Sequence, residues 1–412
     1  MSPALRSGLV AALLLALVGC SGRSDGLSGR IQLAVGVSGI DQLSYELIEE
    51  RTDQVNQLVR DFEELHPRVK VNVTVFREQD VVNEVRRRNS TGLGPDLLFV
   101  TGTVAHNLVQ RHQARSVRLP QAVSQQLDES SLATAKLPDG RLAGLPVLQE
   151  PQVACFDRRR LSSPPDTLQG LLESSETGTE IGLALDPVDI YWTAGPLGAN
   201  QAFGAILAGQ PITAAHRQQI RFWMTWLQSA NELQRVNYFA NEEQLVQGLI
   251  HQRLDWIPCH STNMLRLRKK LGKRLGVSAL PGDFGGPATP TTRQRVWAFG
   301  VNSSPNQRQI SESFATFTVN PLIQRNLTLR TEQMLPVNRF VPPPVASSSV
   351  LQALVTAEQE GRLTERLSQS IPSGDPRRKE LVRSLMRLVF GDITPDQATD
   401  QVIRAIRRPG QP

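Results

Sequence analysis

Two prolines near the middle of the chain constrain its fold more than any other feature. The stretch from residue 139 to residue 157 reads DGRLAGLPVLQEPQVACFD, and it is apolar and extended after an opening turn. Pro146 and Pro151 exclude a helix here and limit pairing within a sheet. We interpret the stretch as two short strand pieces joined by Val147–Glu150, which leaves one sheet and enters another and so forms a hinge between two lobes. An irregular edge strand within one domain is the alternative.

The size of the chain also favours two lobes. At 412 residues it exceeds what one hydrophobic core usually supports. Hydrophobic residues make up 40% of the chain and charged residues 20%, which is typical of a soluble globular protein.

The N-terminus resembles the signal peptide of a bacterial lipoprotein. Arg6 precedes an apolar run, Leu9–Val18, that is too short to span a bilayer as a mature helix. The run ends in LVGC, which resembles a lipobox, so residues 1–19 are predicted to be removed and Cys20 to carry lipid. Residues 20–29 then form a flexible tether. The prediction is a lipid-anchored protein of the periplasm or cell envelope, and a plain secretory signal is the alternative.

The basic charge does not predict a nucleic-acid partner. The net charge is +6, but an exported lipoprotein meets no nucleic acid. The densest basic run, Leu265–Leu275, is typical of a solvated helix face. After the signal peptide there is no second run of 18 apolar residues, so no further segment is predicted to cross the membrane.

Two cysteines remain beside Cys20. Cys155 and Cys259 each lie in an apolar, strand-like run. An oxidising compartment permits a disulfide between them. Two buried thiols are the alternative, and the sequence does not decide between the two.

Strand and helix patterns alternate along both halves of the chain. Before the hinge stretch, the periodicity predicts strands and helices in the order βαβαβ, at Ile31–Val37, Val55–Leu65, Val69–Val75, Asp80–Asn89 and Asp96–Val100. This order implies a parallel sheet with helices on its faces.

Beyond the hinge stretch the alternation recurs. Helices are predicted at Thr167–Leu172, Ile190–Leu207, Arg217–Leu233 and Asn241–Gln252, and strands at Ile181–Leu185, Leu254–Pro258 and Leu275–Leu280. Two apolar, extended stretches are interpreted as further crossings between the lobes, Arg295–Val301 and Leu335–Asn338. Pro281–Thr292 is predicted to be a loop. Helix is predicted for Pro305–Arg330, with a break near Asn320-Pro321, and for Ser347–Arg408, with breaks at Pro372–Pro376 and Gly391–Pro395.

Four stretches, by their order and spacing, resemble a known family. They read FEELHPRVKVNV; GLGPDLLFV followed by LVQRHQARSVRL; DGRLAGLPVLQEPQVACFDRRRL with SSPPDTLQGLL; and GDITPDQATDQVIRAI. Together they resemble the extracellular solute-binding proteins of ABC importers, in the group typified by maltose-binding protein. The resemblance covers nearly the whole mature chain.

The resemblance implies an α/β fold of the periplasmic-binding-protein class. Two α/β lobes joined by several hinge crossings would close on a ligand in the cleft between them. The N-terminal lobe is predicted at residues 30–148 and 298–337, and the C-terminal lobe at residues 149–297 and 338–412.

The function that the resemblance implies is solute capture. The chain would be a monomeric receptor that binds a small carbohydrate and presents it to the transmembrane subunits of an ABC permease. The sequence contains no Gly-x-Ser-x-Gly elbow, no His-Glu-x-x-His and no phosphate-cradling glycine loop, so we predict no enzyme activity, no cofactor and no metal. A same-fold receptor for a non-sugar polar solute and a sensory or scaffold lipoprotein are the alternatives.

Ligand-binding residues are carried over from the family. Asp189, Tyr191 and Trp192 lie in a segment that resembles the one in which an acid and an aromatic ring contact sugar. A carboxylate accepts hydrogen bonds from hydroxyl groups, and a ring offers an apolar face. Packing at a helix start is the alternative for the two aromatic residues. Further predicted contacts come from the strand ends and the hinge: Thr101, Thr103, Glu150, His260, Ser261 and Trp297.

The chain departs from the maltose-binding relatives on the first lobe. Where they place a tryptophan and an acid–base pair, this sequence has Val100, Thr103 and Val104. Aromatic residues make up only 5% of the chain. Both observations favour a small carbohydrate over a long maltodextrin.

Overall fold

The computed structural model describes residues 26–37, 45–361, 364, 371 and 375–407. The predicted signal peptide, Cys20 and the first part of the tether lie outside these residues. Within the described part of the chain, every helix is too short or too polar to span a lipid bilayer.

The strands of the described residues form two sheets that share one strand. They are β1 Gly29–Val37, β2 Val69–Arg77, β3 Leu97–Thr101, β4 Ala114–Arg115, β5 Leu145–Asp157, β6 Ile181–Ala184, β7 Val236–Phe239, β8 Trp256–His260, β9 Leu275–Ser278, β10 Thr292–Gly300 and β11 Leu335–Pro336.

Helices cover the faces of both sheets. Those described are α1 Tyr45–Leu65, α2 Val81–Asn89, α3 Gly102–Gln110, α4 Gln121–Ser124, α5 Glu129–Ala135, α6 Leu168–Glu176, α7 Pro187–Ile190, α8 Asn200–Leu207, α9 Ala214–Ala230, α10 Glu242–Ile250, α11 Met264–Leu271, α12 Pro305–Thr318, α13 Pro321–Thr331, α14 Ser349–Gly361, α15 Pro376–Val389 and α16 Pro395–Arg407.

The first sheet has the predicted parallel core. Its strand order is β2-β1-β3-β10-β5, and β1 pairs in parallel with both β2 and β3. Alternate residues of β1 enter different cores, because successive side chains of a strand point to opposite faces. Ile31, Leu33 and Val35 pack against α1 residues such as Phe62, whereas Ala34 packs on the opposite face with Val81.

The hinge strand β5 changes sheets as predicted. Up to Pro151 it pairs with β10 and β11 in the first sheet, and from Gln152 it pairs with β8 and β9 in the second. The prediction of two separate strand pieces is wrong, because all 13 residues form one continuous buried strand. Pro146 is accommodated where the register with β10 shifts between Arg295 and Val296.

Two other predicted elements differ in the structure. Arg295–Val301 is not a crossing, because β10 lies inside the first sheet between β3 and β5. The chain crosses just before β10, where the Gln152 N–H donates to the Thr291 carbonyl oxygen over 2.9 Å. The predicted helix Ile190–Leu207 is broken into a 3-10 turn and α8, and Gly198 between them has a φ of 77°.

The second lobe contains a disulfide between neighbouring strands. Cys155 on β5 is bonded to Cys259 on β8, and both side chains are fully buried. This decides between the two possibilities that the sequence left open. The bond fixes the second-lobe half of the hinge strand to the centre of the second sheet.

Candidate functional site: a buried ion-pair network at the lobe junction

The polar side chains of greatest interest lie where the two sheets meet. The junction is built from the middle of β5, the beginning of β10, the carboxyl end of β8 and the short helix α7 that follows β6. Ligands of sheets with parallel strands bind beyond the carboxyl ends of those strands. Asp189 and His260 lie at the carboxyl ends of the parallel strands β6 and β8.

Arg293 connects the two lobes at this junction. It lies on β10 of the first sheet, and its guanidinium is 3.0 Å from Glu242 and 3.4 Å from Asp189, both on second-lobe helices. The two carboxylates are almost fully buried, with side chains 4% and 5% exposed. Arg293 is thus the permanent cation between two buried acids.

His260 completes the network on the second lobe. Its Nδ1 lies 3.0 Å from the Glu242 carboxylate, and its Nε2 lies 3.0 Å from the Thr291 hydroxyl. Glu242 also accepts a hydrogen bond from the Asn263 amide over 2.7 Å. Because each ring nitrogen of His260 has a partner, the imidazole is held in one orientation.

Burial and neighbouring charges shift the pKa values of Asp189 and Glu242 in opposite directions. Burial, together with the carboxylates of Asp186 and Glu242, raises the pKa of Asp189 to about 8. Burial also opposes ionisation of Glu242, but His260 and Arg293 outweigh it and hold the pKa of Glu242 far below its usual range. At neutral pH, Asp189 is therefore the acid that holds a proton, and it can donate a hydrogen bond as well as accept one.

The same effects keep His260 neutral. Burial and the charge of Arg293 lower the pKa of His260, against the opposite effect of Glu242. Burial opposes the charge of Arg293, but the carboxylates of Glu242, Asp189 and Glu150 outweigh it and raise the pKa of Arg293. The cluster consequently relies on arginine and not on imidazolium for its positive charge.

A second buried ion pair lies on the first-lobe side. Arg295, two residues along β10 from Arg293, is 2.7 Å from Glu78 and donates to the Gly36 carbonyl oxygen over 2.6 Å. Its guanidinium also lies over the Phe99 ring, 4.8 Å from the centroid. Glu78 in turn accepts the backbone N–H of Thr101 over 2.7 Å. This pair fixes the carboxyl ends of β1 and β3 beside β10.

Some of the predicted ligand contacts meet at the junction. Asp189, Glu150 and His260 all belong to the charge network around Arg293. Thr101 is buried at the carboxyl end of β3, and Thr103 is half-buried in the first turn of α3. Ser261 follows His260 and is fully buried, and its hydroxyl has no hydrogen-bond partner among the described residues. The roles of these residues in ligand binding stay predictions.

The predicted aromatic contacts lie in the cores. The Tyr191 hydroxyl donates to Asn200 over 3.0 Å, and its ring packs edge-on against Phe203. Trp192 is fully buried, with its ring centroid 5.9 Å from that of Trp256. Trp297 packs in the first-lobe core, where its Nε1–H donates to Thr318 over 2.8 Å. All three rings therefore pack in the cores, which for Tyr191 and Trp192 was the alternative to ligand contact. Their contacts with a ligand stay predictions.

Sequence reasoning missed the most central members of the network. The sequence analysis did not single out Arg293, Arg295 or Glu242. Two arginines in alternate positions of an apolar strand are nevertheless unusual, because a buried charge needs a partner. That alternation in TRQRVWAF was the available signal. Glu242 carries no such signal, since acids in the first turn of a helix are common.

The acids and the imidazole also have the composition of a metal site. The ligand atoms of Asp189, Glu242 and His260 all lie within 4.8 Å of one another. Arg293, however, already lies 3.0 Å from Glu242 and 3.4 Å from Asp189, and it compensates the charge of the ionised Glu242. We interpret the cluster as an ion-pair network and not as a metal centre.

These features define a class of protein. Two sheets that share one hinge strand, with a buried polar network between their carboxyl ends, are the arrangement of a two-lobed solute receptor. The chain belongs to the bacterial extracellular solute-binding protein family, whose sequence profile matches residues 57–352. The resemblance inferred from the four sequence stretches is confirmed. No curated protein matches the chain in sequence.

Solved structures of binding proteins have the same fold. The GacH receptor of Streptomyces glaucescens GLA.O, determined unliganded and with acarbose, superposes with a TM-score of 0.73 at 13% identity over 92% of this chain and 98% of that chain. The maltodextrin-binding protein MalE1 of L. casei BL23 superposes with a TM-score of 0.67 at 15% identity, over 93% of this chain and 100% of that chain. A solute-binding protein of Thermotoga lettingae TMO bound with α-D-tagatose superposes with a TM-score of 0.68 at 12% identity, over 92% of this chain and 99% of that chain. The predicted fold class is confirmed.

Proposed function

We propose that the protein is the substrate-binding lipoprotein of an ABC importer. It captures a small carbohydrate by closure of its two lobes and delivers it to a membrane permease, while a lipid on Cys20 holds it at the cell envelope. The observation that carries the proposal is the shared strand β5, which passes from one sheet to the other beside a buried polar network. Rotation about a few residues near Gln152 would open the junction to a solute.

The chemistry of the junction supports a polyhydroxylated ligand. Asp189 and Glu150 offer carboxyl oxygens that accept hydrogen bonds, and Arg293 offers donors. A polar solute enclosed between the lobes needs such partners from both sides, because it loses its hydrogen bonds to water. The solved relatives named for acarbose, maltodextrin and tagatose support the same ligand class.

The structure also suggests a different boundary between the lobes. Because β10 lies wholly in the first sheet, we propose that the chain returns from the second lobe to the first at Thr291 and not at residue 297.

A thermal-shift screen tests this function. Maltose, maltotriose, α-D-tagatose and acarbose would each be added to a soluble form that begins after Cys20. A ligand that binds only the native state, at about 100 times its Kd, stabilises it by about 2.7 kcal/mol, so we expect a clear rise in Tm with at least one sugar. Asp189→Ala should lose that rise while still unfolding cooperatively. A rise in Tm with amino acids or polyamines, and none with sugars, would instead favour the alternative that the protein is a receptor for a non-sugar polar solute.

A further inference from the structure

The beginning of strand β1 lies at the end of the first lobe that is far from the junction. Near the carboxyl end of β1, the Gly36 carbonyl oxygen accepts a hydrogen bond from Arg295 beside the buried network. The strand begins nine residues earlier in its run, at Gly29, and a rise of about 3.3 Å per residue places that end about 26 Å from the other. We call this end of the lobe the amino edge, and it comprises residues 29–30, 62–70, 86–96 and 110–113.

The fold brings these four segments together. Gly29 pairs with Val69 in the β1–β2 register, so helix α1 ends beside the start of β1. The residue before β3 donates its N–H to the Gln32 carbonyl oxygen over 2.8 Å, which places the preceding loop at the same edge. The side chain of Asn89, the last residue of α2, donates to the Gln113 carbonyl oxygen over 3.0 Å. The segment after α3 therefore lies beside the end of α2.

The chain is held at the amino edge from Gly26 onwards. Arg68 donates to the Gly26 carbonyl oxygen over 3.0 Å, and Asn306 donates to the Ser28 carbonyl oxygen over 2.9 Å. Gly26 is the sixth residue after Cys20. A chain spans at most about 3.6 Å per residue, so Cys20 lies within about 22 Å of this edge. A bilayer that holds a lipid on Cys20 is therefore close to the amino edge.

The amino edge is rich in basic residues. Its four segments contain seven basic and three acidic residues, whereas the whole chain has 45 basic and 39 acidic residues. One of the three acids, Asp96, is 3% exposed and is thus removed from the surface. Arg30, Arg86 and Arg111 are exposed and lie in three of the four segments. The edge therefore presents a positive surface, although the charge of the whole chain is nearly balanced.

Two large apolar side chains are exposed at the same edge. Leu65 at the end of α1 is 64% exposed, and Leu93 in the loop before β3 is 73% exposed. Single exposed leucines are common on protein surfaces. Exposed apolar side chains within a positive surface are, however, the combination that binds anionic membranes, because buried apolar area and charge both contribute to the affinity.

We propose that the amino edge is a membrane-contact surface that binds the anionic lipid headgroups of the bilayer in which Cys20 is anchored. The inference rests on the lipid anchor of the proposed function, and it adds the surface through which the anchored protein meets the membrane. Leu65 and Leu93 enter the headgroup region, and each basic residue close to the lipids favours the contact about fivefold, about 1 kcal/mol. The junction between the lobes then points away from the bilayer, where a solute reaches it.

A fluorophore at position 93 tests the contact. The full chain with lipid on Cys20 would carry Leu93→Cys labelled with NBD, and it would be reconstituted on phosphatidylcholine vesicles with and without about 30% phosphatidylglycerol. Cys155 and Cys259 form a buried disulfide, so the label reacts at position 93. We expect a blue shift and a rise of the NBD emission on the anionic vesicles, because the label moves from water into the headgroup region.

Leu322→Cys is the matched position control. Leu322 is also a first-lobe leucine and is 72% exposed, but it lies at the start of α13. Helix α12 begins beside the amino edge, where Asn306 contacts Ser28, and its 14 residues span about 21 Å before the chain enters α13. The label at position 322 should therefore give the same emission on both kinds of vesicle.

Two triple variants in the Leu93→Cys background test the charge. Arg30→Gln/Arg86→Gln/Arg111→Gln should lose the shift, because three losses of about fivefold weaken the contact on the order of 100-fold. The control changes three exposed lysines of the basic run in the second lobe, Lys269→Gln/Lys270→Gln/Lys273→Gln. It removes the same charge and should keep the shift. All six side chains are exposed, so the variants should fold as the wild type does.

The outcomes separate the contact from the proposed function. If mass spectrometry of the chain from a bacterial membrane shows no lipid on Cys20, the lipid anchor and the contact both fail. If the lipid is present and position 93 gives the same emission on both kinds of vesicle, the contact is wrong and the proposed function stands. Equal shifts at positions 93 and 322, or equal losses in the two triple variants, would also overturn the contact, because the amino edge would then not set the orientation.

Discussion

Arg293→Met is expected to lower the free energy of unfolding by about 3–5 kcal/mol, because removing one partner of a buried ion pair leaves the other charge uncompensated. Glu242 is 4% exposed and would lose the cation 3.0 Å from it. Methionine keeps most of the apolar length of the side chain, so the effect reports the charge and not lost packing. Chemical denaturation followed by tryptophan fluorescence measures it.

A rescue variant and a surface pair make this result specific. Glu242→Gln in the Arg293→Met background removes the uncompensated charge and should recover much of the lost stability. Arg87→Met is the surface control, because Arg87 is 70% exposed and pairs with Glu84 one helical turn away. Exposed pairs contribute about 0–1 kcal/mol. If Arg293→Met and Arg87→Met lowered the free energy of unfolding equally, the claim that Arg293 belongs to a buried ion-pair network would be contradicted.

The second large effect is expected from removal of the disulfide. Cys155 and Cys259 are separated by 104 residues, and a cross-link that closes a loop of about 100 residues stabilises a protein by up to about 4.7 kcal/mol in the chain-entropy account. Cys155→Ala/Cys259→Ala should therefore lower the free energy of unfolding by about 2–5 kcal/mol. Four of the five tryptophans lie in the second lobe, so their fluorescence follows the affected lobe.

Reduction of the wild type provides the control for this prediction. Both cysteines are fully buried in the native protein, so a reductant reaches the bond only after unfolding. Denaturation of the wild type under reducing conditions should then give a midpoint close to that of the double variant. A double variant as stable as the oxidised wild type would show that the bond contributes nothing to the fold.

Local patterns predicted the fold well where one physical effect dominates. The alternating valines of β2 and the apolar stripe of α1 follow directly from strand and helix periodicity. The prolines of β5 indicated a change of sheet, and the register confirms it. The prolines also suggested an interruption, which is wrong because the register shift at Arg295 and Val296 accommodates one of them.

The site was predicted less completely, because it depends on pairing across the lobes. Asp189 and His260 were predicted from the resemblance to the family. Arg293 and Glu242 are 51 residues apart in sequence, and only the junction of the two sheets brings them to 3.0 Å. Tyr191 and Trp192 were predicted to contact sugar, and in the structure both rings are buried in the second-lobe core.

The most direct test of the account is the size of the protein in solution with and without ligand. Small-angle X-ray scattering would be measured on the soluble form alone and with a saturating amount of the sugar found in the thermal-shift screen. The account predicts a smaller radius of gyration with sugar, because the lobes close about β5, and no change for Asp189→Ala. An unchanged radius for wild-type protein shown by calorimetry to be saturated would contradict hinge closure.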